Sequence, residues 1–129
     1  MTEDEAWRLA EDWVAAWNAH DLDAILSHYE EEVELTSPVA ARLLGTDGTV
    51  TGKSSLKAYF GRGLEAYPSL RFELADVLWG VRSIVLYYTN QNGTRTAEFM
   101  ELSPKGKVMR VVANYGGSRS STRIAHEAR

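Results

Sequence analysis

The residue of this chain best placed to do chemistry is a carboxylate in an apolar strand-like stretch. Glu98 lies in Thr96-Ala97-Glu98-Phe99-Met100-Glu101-Leu102. Strand alternation puts Glu98, Met100 and Leu102 on one face and Phe99 and Glu101 on the other. If Met100 and Leu102 point into a core, Glu98 points there too. A carboxylate in an apolar enclosure has a raised pKa and can serve as acid or base near neutral pH. The alternatives are a Glu98 turned outward, or one paired with a buried partner such as Arg110. Around it stands an aromatic set: Trp13, Trp17, Tyr29, Tyr59, Phe72, Tyr87 and Tyr115. Rings with one polar handle make good walls for flat apolar ligands, although for each ring taken alone plain core packing is the better reading. With four Trp and six Tyr in 129 residues, the set predicts that some hydroxyls or indole nitrogens meet a cavity. Met100 joins this set from the Glu98 face.

Other chemistries find little support. His20, His28 and His126 have no ligand spacing, so neither a bound metal nor a cofactor is expected. His20 falls at a helix break, His28 faces solvent in the simplest reading, and His126 lies near the C-terminus. Gly48-Thr49-Val50-Thr51-Gly52-Lys53-Ser54 imitates a phosphate loop, but its glycines are one residue too close. Asn92-Gly93-Thr94 has the form of a glycosylation sequon, and a hairpin turn explains it more simply. The absence of cysteine excludes a disulfide framework, a thiolate nucleophile and a zinc–thiolate site. A formal charge of −4, with no basic stripe, argues against nucleic acid. No apolar run approaches a membrane span. Met1-Thr2-Glu3-Asp4-Glu5 is acidic and unlike a secretory signal. These features describe a soluble, cytoplasmic protein of ordinary globular composition, 44% hydrophobic and 25% charged.

The elements that would position these residues follow from spacing. Thr2 can cap a first helix, with Glu3, Asp4 and Glu5 in its first turn. Ala6, Ala10, Trp13, Val14 and Trp17 recur at helical spacing up to a break at Asn18-Ala19-His20. Asp21 can cap a second helix that buries Leu22, Ile25, Leu26 and Tyr29, with Glu30-Glu31-Glu32 ending it in solvent. Val33–Thr36 reads as a strand stopped by Ser37-Pro38. Residues 39–52 read as a loop with an extended piece at 49–51. A third helix spans about 54–66, with Leu56, Tyr59, Phe60 and Leu64 as its stripe, and Pro68 ends it. The period then changes to two. Phe72, Leu74, Asp76 and Leu78 share a face, 83–89 is β-branched and aromatic, and Asn92-Gly93 predicts a type I′ hairpin with positive φ at both residues. Strands at 94–102 and 108–115 flank a turn at Pro104-Lys105-Gly106-Lys107. One domain over 1–117 and a flexible tail over 118–129 are expected. The order implies an α+β fold: a curved sheet with helices packed on one face and a pocket between them.

The chain resembles SnoaL-like proteins of the nuclear transport factor 2-like superfamily, over roughly residues 6–116. The resemblance rests on Trp13-Val14-x-x-Trp17-Asn18-x-x-Asp21-Leu22-Asp23, Ser37-Pro38, Gly52-Lys53-x-x-Leu56-x-x-Tyr59-Phe60, and Gly106-Lys107-Val108 leading to Ala113-Asn114-Tyr115-Gly116. It implies a cone-shaped, curved antiparallel sheet wrapped around N-terminal helices, the cystatin-like α+β barrel, and a homodimer packed through the outer sheet face. The scaffold hosts isomerases, cyclases, epoxide hydrolases, dehydratases and non-catalytic proteins. Ketosteroid isomerases of this fold use a carboxylate base after the first strand, a first-helix tyrosine and a protonated late-strand acid. Those positions fall here on Leu35 or Ser37, on Trp13 and on Glu98, so only the acid has a counterpart. Epoxide hydrolases of the fold need two carboxylates and an arginine, of which Glu98 alone is placed. Three readings follow. The first is a cofactor-independent acid–base enzyme (isomerase, dehydratase or hydrolase type) acting on a small apolar organic molecule. The second is a non-catalytic carrier, and the third a dimerising interaction module with a filled cone.

Overall fold

The computed structural model describes residues 1–117; the tail expected over 118–129, and His126 with it, lie outside the described residues. The elements run α1 (Glu3–Asn18), α2 (Leu22–Leu26), β1 (Tyr29–Thr36), α3 (Pro38–Leu44), β2 (Thr49–Thr51), α4 (Lys53–Ala66), β3 (Glu73–Trp79), β4 (Ser83–Thr89), β5 (Arg95–Leu102) and β6 (Val108–Tyr115). The strands form one sheet in the order β2-β1-β6-β5-β4-β3. Neighbours are antiparallel except β1 and β6, which pair in parallel. Register shifts interrupt β1–β6, β3–β4 and β5–β6. Each such bulge bends its strand, and together they curve the sheet around α1 and α4. This is the expected α+β layout.

α1 begins with a complete capping box: the Thr2 hydroxyl accepts from Glu5 N at 3.2 Å and the Glu5 carboxylate accepts from Thr2 N at 2.8 Å. These bonds satisfy two otherwise orphaned donors. The hydrogen bonds from Thr2 also hold the Glu5 carboxyl below its ordinary value. Asp21 caps α2 through Ala24 N. Between the two helices His20 adopts a left-handed φ of 55°, and its ring Nε2 reaches the Leu70 carbonyl at 2.9 Å.

Four expectations need correction. Tyr29 is not on the second helix: α2 stops at Leu26 and β1 starts at Tyr29. Five residues give a helix little stability of their own, whereas the strand gains Val108 as a partner, whose N–H donates to the His28 carbonyl at 2.8 Å. Residues 38–44 are helix, not loop. Ser37 Oγ accepts from Val39 N, Pro38 opens the first turn, and Gly45 closes α3 at φ 66°, a Ser-Pro start and glycine stop that suit a helix. Seven residues are too few to show a helical period. In β3, Val77 is 3% exposed and Leu78 55%, the reverse of unbroken alternation from Phe72. The cause is the extra residue Ala75 between Leu74 and Asp76, which pair with the adjacent Tyr88 and Tyr87. The hairpin is not type I′, because Gly93 has positive φ and Asn92 does not. Gly93 N donates to the Asn90 carbonyl and Asn90 N to the Thr94 carbonyl, both at 2.9 Å. Those bonds define a three-residue loop with glycine at the left-handed position.

The core lies between the inner sheet face and the helices. Ala6 and Ala10 are fully buried, which brings α1 close to the sheet. Trp13 and Trp17, one turn further on, spread into a ring cluster with Phe60, Phe72 and Tyr88. No helix among the described residues is long and apolar enough to cross a membrane.

Candidate functional site

The curved sheet, α3 and α4 enclose a cavity of about 360 Å³, within the range of small-molecule sites. Glu98 is on its wall and is 7% exposed. Its position follows from the register of β4 and β5: Leu86 faces Glu98 and Tyr88 faces Thr96, so Tyr88 and Glu98 are diagonal neighbours on the inner face. The Tyr88 hydroxyl donates to Glu98 Oε1 at 2.8 Å. That is the carboxylate's one hydrogen bond among the described residues. Arg110, weighed as a partner, is on the opposite face and donates to Glu101 at 2.8 and 3.0 Å. Without a cation, burial dominates and raises the Glu98 pKa from 4.5 to about 7, against a smaller downward pull from the Tyr88 hydroxyl.

Around Glu98 the phenols are held neutral. Burial pushes Tyr29 and Tyr88 well above the ordinary tyrosine value, Tyr115 is raised as well although 42% of the residue is exposed, and the Glu98 charge adds to the rise in each. Tyr59 moves the same way for the same two reasons. The Ser37 hydroxyl stands against Tyr59 and Tyr115, and the Arg42 charge reaches both. Ser37 is fixed by its N–H to the Gly48 carbonyl at 2.9 Å. A Cβ on Gly48 would come within 2.7 Å of the Ser37 carbonyl, and its φ is 93°, so glycine is required there. Trp13 Nε1 donates to the Tyr29 hydroxyl at 2.9 Å. The buried Trp17 Nε1, one turn along, has no acceptor among the described residues, and its ring meets Phe60 edge-on at 4.9 Å. Asn18 holds Phe72 in place: its Oδ1 accepts from Phe72 N at 2.7 Å and its Nδ2 donates to Phe72 O at 3.0 Å. At the hairpin end of the cavity, Asn90 donates to Thr94 and Thr96 and accepts from Asn92 N.

Seven of the nine sequence-derived site residues therefore meet at one cavity: Glu98, Trp13, Trp17, Tyr29, Tyr59, Phe72 and Tyr115. Two do not. Tyr87 is 36% exposed on the outer face, with the Arg95 guanidinium 5.2 Å from its ring centre. Met100 does face inward but is buried in the core away from the cavity wall. Tyr88, Asn90 and Arg42 went unnoticed as site residues, and Ser37 entered only as one alternative for the isomerase base position. Ser83–Thr89 is apolar or β-branched at nearly every position, so its pattern carries no phase. The three-residue loop fixes that phase, because it sets Tyr88 opposite Thr96 on the Glu98 face. His28 is half-buried, and burial lowers its pKa. It is not on the cavity wall. The phosphate-loop look-alike is β2 and the start of α4, with Lys53 3.8 Å from Glu31. Among the described residues no group of His, Asp and Glu is arranged to hold a metal ion.

A curved, mainly antiparallel sheet wrapped around N-terminal helices is a cone-shaped α+β fold, and the comparisons give the family. Residues 10–115 match the model of the SnoaL-like domain, and the chain belongs to that family. A crystal structure of a SnoaL-like protein of unknown function from Burkholderia thailandensis is 37% identical, covers 91% of this chain and 99% of its own, and has a TM-score of 0.87. The epoxide hydrolase/cyclase-like enzyme SalBIII, described in pyran ring formation in the polyether salinomycin, is 20% identical with a TM-score of 0.70, covering 92% and 95%. TerC, co-crystallised with polyporic acid, is 18% identical with a TM-score of 0.68, covering 90% and 91%. The latter two show the fold alone. None of the curated proteins matches the chain.

Proposed function

We propose that this protein binds a small, largely apolar organic molecule in the cavity and acts on it by acid–base chemistry without a cofactor. One observation carries the reading: Glu98 is buried in the cavity wall with no cation beside it among the described residues, and its pKa is about 7. Near that pH both forms are populated, so the same group can take a proton from substrate and return it. Among the described residues Glu98 is the one carboxylate on the wall, and no histidine joins it. The chemistry is therefore a relocation of protons through a single carboxyl, as in isomerisation or dehydration. Neutral phenols at Tyr59 and Tyr115, with the Ser37 hydroxyl, supply donors for an oxygen that gains charge. The solved neighbours that handle small organic molecules on this fold agree with the ligand class.

The same lone acid favours a second reading, in which the cavity binds its ligand without turnover. A homodimer is part of the proposal. Leu78, Val85, Phe99 and Val112 align across β3, β4, β5 and β6 on the outer face, a surface that a second copy can cover. Sedimentation of the purified chain as a monomer would remove it.

The test is a thermal-shift and turnover screen of wild type and Glu98→Gln against polyketide, steroid, terpenoid and aromatic-acid metabolites between pH 6 and 8. A ligand at about a hundred times its Kd stabilises by roughly 2.7 kcal/mol, several degrees of Tm for a domain of this size. The enzyme reading expects turnover to fall roughly 10²–10⁴-fold in Glu98→Gln. A hit that binds with no turnover supports the carrier. Equal turnover by both proteins would remove Glu98 from the mechanism.

A further inference from the structure

We propose that the ligand carries a carboxylate at one end, and that Arg42 and Arg62 receive it at the cavity mouth while the apolar body points inward toward Glu98. This rests on the cavity being a ligand site, and it adds the ligand's charge and orientation. Both arginines are on the cavity wall and both are exposed. Each projects from the cavity-facing stripe of its helix. In α3 that stripe is Pro38, Val39, Arg42 and Leu43, and in α4 it runs through Tyr59, Arg62, Gly63 and Ala66, the three- and four-residue spacing of one helix face. Among the described residues neither arginine is in an ion pair, whereas Arg110 on the outer face is committed to Glu101. Arg42 stands near enough to the Tyr59 and Tyr115 phenols for its charge to be felt there, which places it on the Ser37 side of the opening.

The two ends of the cavity thus differ in sign. Among the described residues two guanidinium groups without carboxylates stand at the rim, and the one acid lies inside. A guanidinium matches a carboxylate with paired, charge-assisted hydrogen bonds. An anionic group at the inner end would meet the Glu98 carboxylate instead, and like charges there cost most because the surroundings are apolar. A molecule with an apolar body and one carboxylate is accordingly held in a single direction, whereas a neutral molecule is not. Gly63, on the same α4 stripe, leaves open space where a side chain would stand, which keeps the Arg62 side of the opening clear.

The experiment uses naphthalene-2-carboxylate and its neutral amide as probes, titrated at low salt into the full chain and followed by tryptophan fluorescence. The proteins are wild type, Arg42→Met, Arg62→Met and the double variant. The expected result is that the carboxylate binds wild type more tightly than the amide. The double variant should lose roughly ten- to hundredfold in carboxylate affinity and keep its amide affinity, and added salt should weaken the carboxylate alone. Unchanged amide binding also reports that each variant is folded. Equal binding of both probes to wild type, or no loss in the double variant, overturns the anionic end and leaves the cavity reading intact. Failure of both probes to bind wild type overturns the two together.

Discussion

Glu98 and Glu101 lie in the same strand, yet they are in different solvents. Glu101 is on the outer face, where Arg110 from the neighbouring strand holds it through two hydrogen bonds and water screens what is left. Glu98 is on the inner face, where one phenol replaces the cation and burial replaces the water. Nothing in the chemistry of the two side chains differs. Their spacing puts them on opposite faces, and the face decides whether a glutamate is a solubilising charge or a titrating group near neutral pH. The tyrosines repeat the lesson: Tyr87 stacks against Arg95 outside, and its neighbour Tyr88 donates to Glu98 inside.

The contrast can be broken most strongly by removing inner-face packing. Met100→Ala should cost roughly 2–5 kcal/mol in urea denaturation, because Met100 is 1% exposed. A cost below about 1 kcal/mol would mean that the inner face is loosely filled there.

The next effect sharpens the comparison through pH. The folded Glu98 pKa is raised from 4.5 to about 7, so the folded state holds a proton that the unfolded state has released between those values. Wild type therefore loses stability as pH rises across that window, and the penalty is absent below it and full above it. At about 1.4 kcal/mol per pH unit the full penalty is roughly 3 kcal/mol. Glu98→Gln carries no such penalty. It should match wild type near pH 4.5 and exceed it by up to about that amount at pH 8. Parallel stability curves for the two proteins would show that Glu98 is solvated.

Tyr88→Phe comes third. The Tyr88 hydroxyl pulls the Glu98 pKa down, so its loss should move the pH midpoint of the wild-type stability decline upward. Leaving the ionised carboxylate without its donor should cost roughly 1–3 kcal/mol at pH 8. A midpoint that stays put would break the pairing. The smallest effect belongs outside: Glu101→Ala should cost about 0.2–1 kcal/mol and less in high salt, with no change in any pH midpoint near 7.

Much of the site was legible before any tertiary structure. Alternation tied Glu98 to the face of Met100 and Leu102, and helical spacing put Trp13 and Trp17 on one face. The failures came from features that periodicity does not carry. α3 escaped because seven residues hold too few turns to show a period, and with it went Arg42. Tyr87 was chosen over Tyr88 because residues 84–88 are aliphatic or aromatic throughout and set no phase. The β3 bulge inverted Leu78 and Val77 because one unpaired residue shifts every later side chain to the other face.

The sequence by itself determined the longer elements, their order and the caps of the first two helices, because these depend on neighbours within a few residues: Thr2 with Glu5, Asp21 with Ala24, apolar residues one turn apart. It also determined the family. Only the tertiary structure decided which glutamate is dry, which tyrosine faces it and which arginines stand on the cavity wall. Those outcomes rest on the register between strands and on where a loop or bulge inserts a residue. Such quantities are set by closing the sheet as a whole, and local spacing does not encode them.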